Sequence, residues 1–430
     1  MSAVQQNITM SQQLKKEITL LSGIGQLSTT LMGTGLFMIP AISAGIAGEM
    51  TSWAWLFLFI AVCPVALTFA ALGKHYPNAG GTAHFVRIAF NKPQLGNAVT
   101  WLFLSVIPVG VPAAILLAGG FLQQLLPAPL NTSIYAQILT LCLLVVINLS
   151  GAKASGQLQT LIALSIFALV IALLWCSDIT TADLVMPPLN ITSVKPIAMA
   201  LGVMFWCFVG IEAFAHMGEE FKNPGRDFPL SILAGCLIAG MAYWACSVVV
   251  IKWGAYGSPE LENTAIPWLS QKLFGGQMTS VINLVGFFAC FASINLYLQS
   301  LSRMLWSHAR HYHPHHMLTR LSSRGIPANA TLLIAGIILI SILLEAFTHL
   351  DLSSFIKLAN GVFIMIYLLA MISAWKLLTG IYKGLAGISL LLCSLVFLCL
   401  GWAVCYALII FIAIAIPKRK QAPTSKPPLA

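Results

Sequence analysis

Only twelve of the 430 residues are acidic, and nearly all fall in polar stretches or at the ends of apolar runs. Glu212 is the exception, deep inside an apolar run. A carboxylate there is expensive and marks a functional site by default. Three roles are open to it: a structural one, protonated or hydrogen-bonded to backbone; proton coupling; and direct contact with a substrate. A second group of chemical interest is backbone. In LMGTGLFMIPA, residues 31–41, Gly33, Gly35 and Pro40 stand at the centre of another apolar run. Glycine costs a helix interior about 1 kcal/mol and proline about 3. In hydrocarbon, an unpaired N–H or C=O costs several kcal/mol more, so such a break must face protein or a water-filled cavity. There, the freed amides and the N-terminus of the following half-helix attract an anion, and freed carbonyls on the other side accept from an ammonium. A carboxylate and an ammonium on one small molecule describe an amino acid.

Other reactive residues point elsewhere. The ten cysteines lie in or beside apolar runs with no CxxC pair, as small buried hydrophobes do. Five of the nine histidines crowd into WSHARHYHPHHMLTR, 306–320. With no acid or thiol among them they make a solvated basic loop rather than a metal centre. No metal and no cofactor is expected. An intramembrane enzyme would need a base or nucleophile beside Glu212 at the same depth, and His84 and His216 lie at span ends.

Elements of membrane length must position these groups. The chain is 59% hydrophobic and 8% charged, with mean hydropathy +0.90, against about 25% charged for a soluble protein. At about 20 apolar residues per crossing, twelve spans are expected: 18–47, 52–73, 98–126, 134–152, 156–177, 196–217, 230–253, 278–306, 329–350, 353–377, 385–401 and 403–417. The last two divide a single apolar run at Gly401-Trp402. All but Lys195, Lys252, Lys272 and Lys357 of the 22 basic residues fall on the face that carries the N-terminus. By the positive-inside rule that face is cytoplasmic, and so are both termini. The net charge of +10 thus reports topology and contact with anionic lipid rather than a nucleic-acid partner. Residues 1–17 form a polar cytoplasmic segment with no cleaved leader expected. Residues 73–90 form an amphipathic surface segment, and 418–430 a disordered tail.

The break in span 1 has a partner. Span 6 and its continuation read VMFWCFVGIEAFAHMGEEFKNPGRDFP, 203–229, with Gly210 and Glu212 in mid-span. Paired interrupted helices in corresponding places of two halves point to a transporter binding site. Met204, Phe205, Trp206, Phe208 and Phe214 gather around the second break. Ser105, Asn295, Tyr297 and Asn360 are second-tier pocket or gate candidates. Pro108 and Pro112 shape span 3, and Glu219, Glu220, Lys222, Arg226 and Asp227 are expected to form an ion-pair network.

GTGLF in span 1, and FVGIE followed by EEFKNPGRDFP, resemble the amino acid–polyamine–organocation transporters over about the whole chain. WLFLSVIPVG (101–110), MFWCFVGIEAFAH (204–216) and ANGVFIMIYLL (359–369) resemble the members that export methionine and branched-chain amino acids from bacteria. The resemblance implies an all-α polytopic protein of the inner membrane. It implies a five-plus-five inverted repeat (about 18–177 and 196–377), discontinuous helices 1 and 6, and two appended spans (385–417). It implies that the substrate carboxylate binds amides of Gly33, Thr34 and Gly35. The ammonium would bind carbonyls near Leu31 and Met32 and from Cys207 to Gly210; Phe205 and Phe208, read from the residues themselves, are candidates for the apolar pocket. Trp206 would occlude the site. Some sodium-free relatives carry a lysine deep in span 5; none is present here, and Lys153 precedes that span. The lack of charged pocket residues other than Glu212 agrees with an apolar substrate. The resulting expectation is a proton antiporter exporting methionine, leucine, isoleucine and valine, with an uptake permease or obligate exchanger as alternatives and a channel or membrane enzyme as remote ones.

Overall fold

A computed structural model describes residues 14–33, 35–312, 314–348, 352–399 and 404–415. Among them the structure is helical, with a single bridged residue pair in place of any strand. Span 1 is two helices, α1 (Leu20–Met32) and α2 (Gly35–Ala47), followed by α3 (Thr51–His75), α4 (Gly81–Phe90), α5 (Pro93–Val106), α6 (Gly110–Gln123), α7 (Ser133–Leu149) and α8 (Ala152–Cys176). The second half opens with α9 (Val194–Met204), a 3-10 turn Phe205–Phe208, the single turn α10 (Ile211–Phe214) and a 3-10 stretch Ala215–Glu220. It continues through α11 (Pro224–Trp253), α12 (Pro259–Phe274), α13 (Thr279–Tyr312), α14 (Ala328–Thr348) and α15 (Leu352–Leu377), to which α16 (Gly380–Cys399) and α17 (Val404–Ala415) are appended. Among the described residues, eight stretches are long and apolar enough to cross a membrane, and shorter apolar helices accompany them.

Neighbour relations repeat between the halves. The first span packs on α11 as the sixth packs on α3; α3 meets α11, α6 meets α13, and α7 meets α14. A shorter helix follows the second span of each half, α4 in one and α12 in the other. These pairings exchange when each span is replaced by its partner five places on, the signature of an inverted repeat.

Local sequence explains the ends. Thr19 caps α1 by accepting from the Ser22 N–H, and α11 has Pro224 in its first turn and left-handed Gly254 after its last, the usual asymmetry of helix termini. Two boundaries differ from the sequence reading. Span 3 is not one kinked helix: it is interrupted at 107–109. Pro108 and Pro112 lack the N–H groups that would continue it, and the Ile107 and Val109 amides bond three residues back, to Leu104 and Val106. The eighth span runs to Tyr312, so part of the histidine-rich stretch is helix rather than loop.

Candidate functional site

Both expected interruptions are present. Helix α1 ends at Gly33 (φ −15°, ψ −122°), and a Cβ there would lie 2.6 Å from Ser293 Cβ. A Cβ on Gly35 would lie 2.2 Å from the Tyr243 hydroxyl, so close approach demands glycine at both. Thr34 lies outside the described residues. In the sixth span the break falls at Val209 and Gly210. Gly210 has φ +134°, a conformation glycine adopts at little cost.

The freed carbonyls of these breaks each receive a hydroxyl. Ser293 donates to Thr30 O at 2.9 Å, Tyr243 to Leu31 O at 2.8 Å and Tyr367 to Phe208 O at 2.7 Å. Glu212 is fully buried. One carboxylate oxygen accepts from the Gly210 N–H at 2.8 Å and the other from the Tyr297 hydroxyl at 2.8 Å. Of the two half-helix N-termini at the breaks, the one after Gly210 therefore already faces a carboxylate.

Between the breaks lies a small cavity, with about 560 Å³ of empty space once its mouth is included. The first span contributes Thr30, Leu31 and Gly35, the sixth Trp206 and Val209, the third Val106, Gly110, Val111 and Ala114, the eighth Ser293, Ile294 and Tyr297, and the tenth Phe363. Trp206 and Tyr297 flank Phe363, with ring centroids 6.2 and 5.6 Å away. No charged side chain is among these lining residues.

Of the residues singled out from sequence, Leu31, Gly35, Trp206 and Tyr297 line the cavity, while Gly33 and Gly210 shape its backbone. Others do not line it. Met32 and Cys207 are buried in the apolar core. The Phe208 ring packs on Phe59, and only its carbonyl is engaged at the break. Phe205 packs on Tyr367 and faces a groove between α3, α9 and α16. Ser105 bonds Leu102 O, and its own carbonyl receives the Tyr406 hydroxyl of α17. Asn295 belongs to a buried amide and hydroxyl network with Asn148 and Ser155. Asn360 is half-buried and is not among the lining residues. The residues missed were Tyr243, Ser293, Tyr367, Phe363 and the wall from the third span. Their signals were faint: a lone hydroxyl, a glycine or one more apolar side chain within an apolar run.

On the face carrying the N-terminus the site is shut. Residues 18 and 221 form a parallel bridge, with Ile18 N–H to Glu220 O and Lys222 N–H to Ile18 O both at 2.9 Å. The Phe214, Phe221 and Phe228 rings pack together behind it at centroid distances of 5.5–5.7 Å. Beside them Arg303 of α13 grips Glu220 with two guanidinium nitrogens, both residues being almost fully buried. The expected ion-pair network within 219–227 is not what forms. Glu220 turns inward to α13, Asp227 accepts from the Asn223 side chain at 3.4 Å, and Lys222 and Arg226 are exposed. The 3-10 geometry of 215–220 aims Glu220 at the neighbouring span rather than along its own segment.

The amino acid permease family model matches residues 18–429. The chain belongs to the amino acid permease family. This permease is 46% identical over 409 residues to the L-methionine/branched-chain amino acid exporter of Escherichia coli (strain K12), covering 95% of this chain and 97% of the relative. It is 26% identical to an uncharacterized amino acid permease of Bacillus subtilis (strain 168), covering 92% and 94%. It is 24% identical to a cadaverine/lysine antiporter of Escherichia coli (strain K12), covering 74% and 73%. It is a multi-pass membrane transporter and not an enzyme.

Proposed function

We propose that this permease exports neutral apolar L-amino acids, namely methionine, leucine, isoleucine and valine, from the cytoplasm across a bacterial inner membrane, by alternating access coupled to proton entry. The observation that supports it is the cavity: an apolar and aromatic wall with no charged lining side chain, set against interrupted backbone. The relative named as a methionine and branched-chain exporter agrees with that wall. In this reading the substrate carboxylate meets the N-terminus of α2 at Gly33 to Gly35, including Thr34. The ammonium uses the second lone pairs of the Thr30 and Leu31 carbonyls, since a carbonyl accepts twice. The apolar side chain lies against Trp206, Phe363, Val106 and Val111, at about 25 cal/mol per Å² buried.

Glu212 is the proton carrier of this reading. It touches the cavity through Tyr297, and its other oxygen holds the Gly210 amide. A change in its charge would act on the hinge of the sixth span and on a cavity wall together. The face rich in Lys and Arg is placed in the cytoplasm, with both termini. The sealed Ile18–Phe221 face then describes a conformer whose site is cut off from the cytoplasm.

The test is efflux of labelled methionine from proteoliposomes with and without an imposed proton gradient. Saturable efflux that rises with the gradient and is blocked by leucine but not arginine is expected. Glu212→Gln should lose the response to the gradient and keep methionine–methionine exchange; a normal gradient response in that variant would remove Glu212 from the coupling. Release only in the presence of external amino acid would make the protein an obligate exchanger.

A further inference from the structure

A second cavity opens on the sealed face, separate from the substrate cavity. It holds about 1600 Å³ of empty space, its mouth included, and its wall carries Lys16, Arg87, Arg310, Glu219 and His84. Arg310 lies over the Trp306 ring at 5.3 Å, and Glu219 faces both Arg310 and Lys16. His84 is held down to about 4, by burial first and then by Arg87 and His311, so it is neutral near pH 7. Arg303 and Glu220 lie nearby but neutralise each other. Three cations thus face one carboxylate across an open cleft. Arg87 is half-buried in this wall.

We propose that this cleft binds a phosphate group, held by Arg87, Arg310 and Lys16, and that the bound phosphate keeps the cytoplasmic gate shut. Guanidinium forks match phosphate oxygens in pairs. The three cations come from different elements. Lys16 stands two residues before the Ile18 clasp, Arg87 is on α4 and Arg310 is near the end of α13. A group bonded to all three bridges the seam that must part before the substrate cavity can open to this face. The phosphate has two possible sources, the headgroup of an anionic phospholipid in the adjoining leaflet or a soluble phosphate compound.

The full-length protein is placed in nanodiscs of phosphatidylcholine, in the same nanodiscs with inorganic pyrophosphate, and in nanodiscs containing phosphatidylglycerol. The midpoint of thermal unfolding is followed against pyrophosphate concentration or lipid fraction. A basic side chain near an anionic surface contributes about 1 kcal/mol, or about fivefold. Lys16→Gln should therefore weaken the response about fivefold, and Arg87→Gln with Arg310→Gln about 25-fold. Lys383→Gln, on α16 and away from the cleft, should change nothing. A response to phosphatidylglycerol alone assigns the headgroup, and a response to pyrophosphate in phosphatidylcholine assigns a soluble phosphate; both support the proposal. No response to either, or the same response in the variants as in the parent chain, overturns it. Should the double variant fail to fold, Lys16→Gln decides alone, because Lys16 is exposed and precedes the first helix.

Discussion

On the proposed function, Gly110→Ala should narrow the range of apolar amino acids carried. Gly110 opens α6 on the cavity wall. A Cβ there would stand 2.9 Å from Val106 Cγ1 and 3.4 Å from Ala359 Cβ. Ala359 is buried in the packed core. Val106 itself lines the cavity, so as it gives way it takes up room there. The substitution thus removes somewhat more than one methyl group of room. One methylene in an apolar pocket discriminates by about 1–3 kcal/mol, or 10- to 200-fold. Methionine and leucine, which fill the most volume, should fall by that factor in Vmax/KM. Valine, shorter by a methylene, should fall little, or gain up to about fourfold from closer contact worth about 0.8 kcal/mol. Counterflow of labelled methionine, leucine and valine into proteoliposomes measures all three. Gly120→Ala, which meets no atom within 4 Å, is the control and should leave them unchanged. An equal loss for the three substrates, or none, would show that this wall does not hold the substrate side chain.

Removing the hydroxyls that hold the breaks should cost stability: Tyr243→Phe and Tyr367→Phe each leave a buried carbonyl short of a donor, at about 1–3 kcal/mol. The two act on different carbonyls, Leu31 and Phe208, so thermal unfolding of the double variant should show additive losses. Glu220→Gln should cost about 3–5 kcal/mol because it strands a buried guanidinium, and adding Arg303→Gln should recover most of it; a neutral single variant would mean that the pair is solvated. Acidification should weaken the fold through His84. Its value of about 4 in the folded protein lies below the ordinary 6.5, so between those values the unfolded chain binds more protons and stability falls as pH drops through that window. His84→Gln should flatten this arm of the stability profile, and superimposable profiles would show that His84 is not held neutral by its surroundings.

What the sequence revealed, and what it hid, follows from geometry. Both helix breaks were legible because glycine is unusual in the middle of an apolar run, and Glu212 was legible because a carboxylate is. The third interruption was half legible. Pro108 and Pro112 were visible, but whether prolines kink a helix or end it depends on whether its neighbours satisfy the freed carbonyls. Runs of adjacent residues were the weakest inference. Successive residues point about 100° apart on an α-helix and about 120° apart on a 3-10 turn, so Leu31 can face the cavity while Met32 faces the core, and Trp206 can line it while Cys207 and Phe208 do not. Tyr243, Ser293 and Tyr367 were hidden for a different reason. A hydroxyl in a spanning helix acquires meaning only from the carbonyl it reaches, and those carbonyls lie more than 150 residues away in sequence.

The two breaks are alike in backbone and unlike in charge. After Gly210 the emerging helical turn meets the carboxylate of Glu212, supplied two residues downstream by the chain itself. At the other break, helix α2 begins at Gly35 on the cavity wall, and none of the lining residues there carries a carboxylate. If the substrate's carboxylate completes that break, an amino acid does for the first span what Glu212 does for the sixth. Recognition would then rest on the backbone groups common to every amino acid, leaving Trp206, Phe363 and the third span to read only the side chain. An apolar wall cannot compensate a buried charge, and desolvating an unpaired one costs several kcal/mol. Arginine, lysine and glutamate should therefore be excluded even though their backbone ends would fit, while size alone sorts the apolar amino acids, which is why the Gly110 substitution is the sharpest probe of the site.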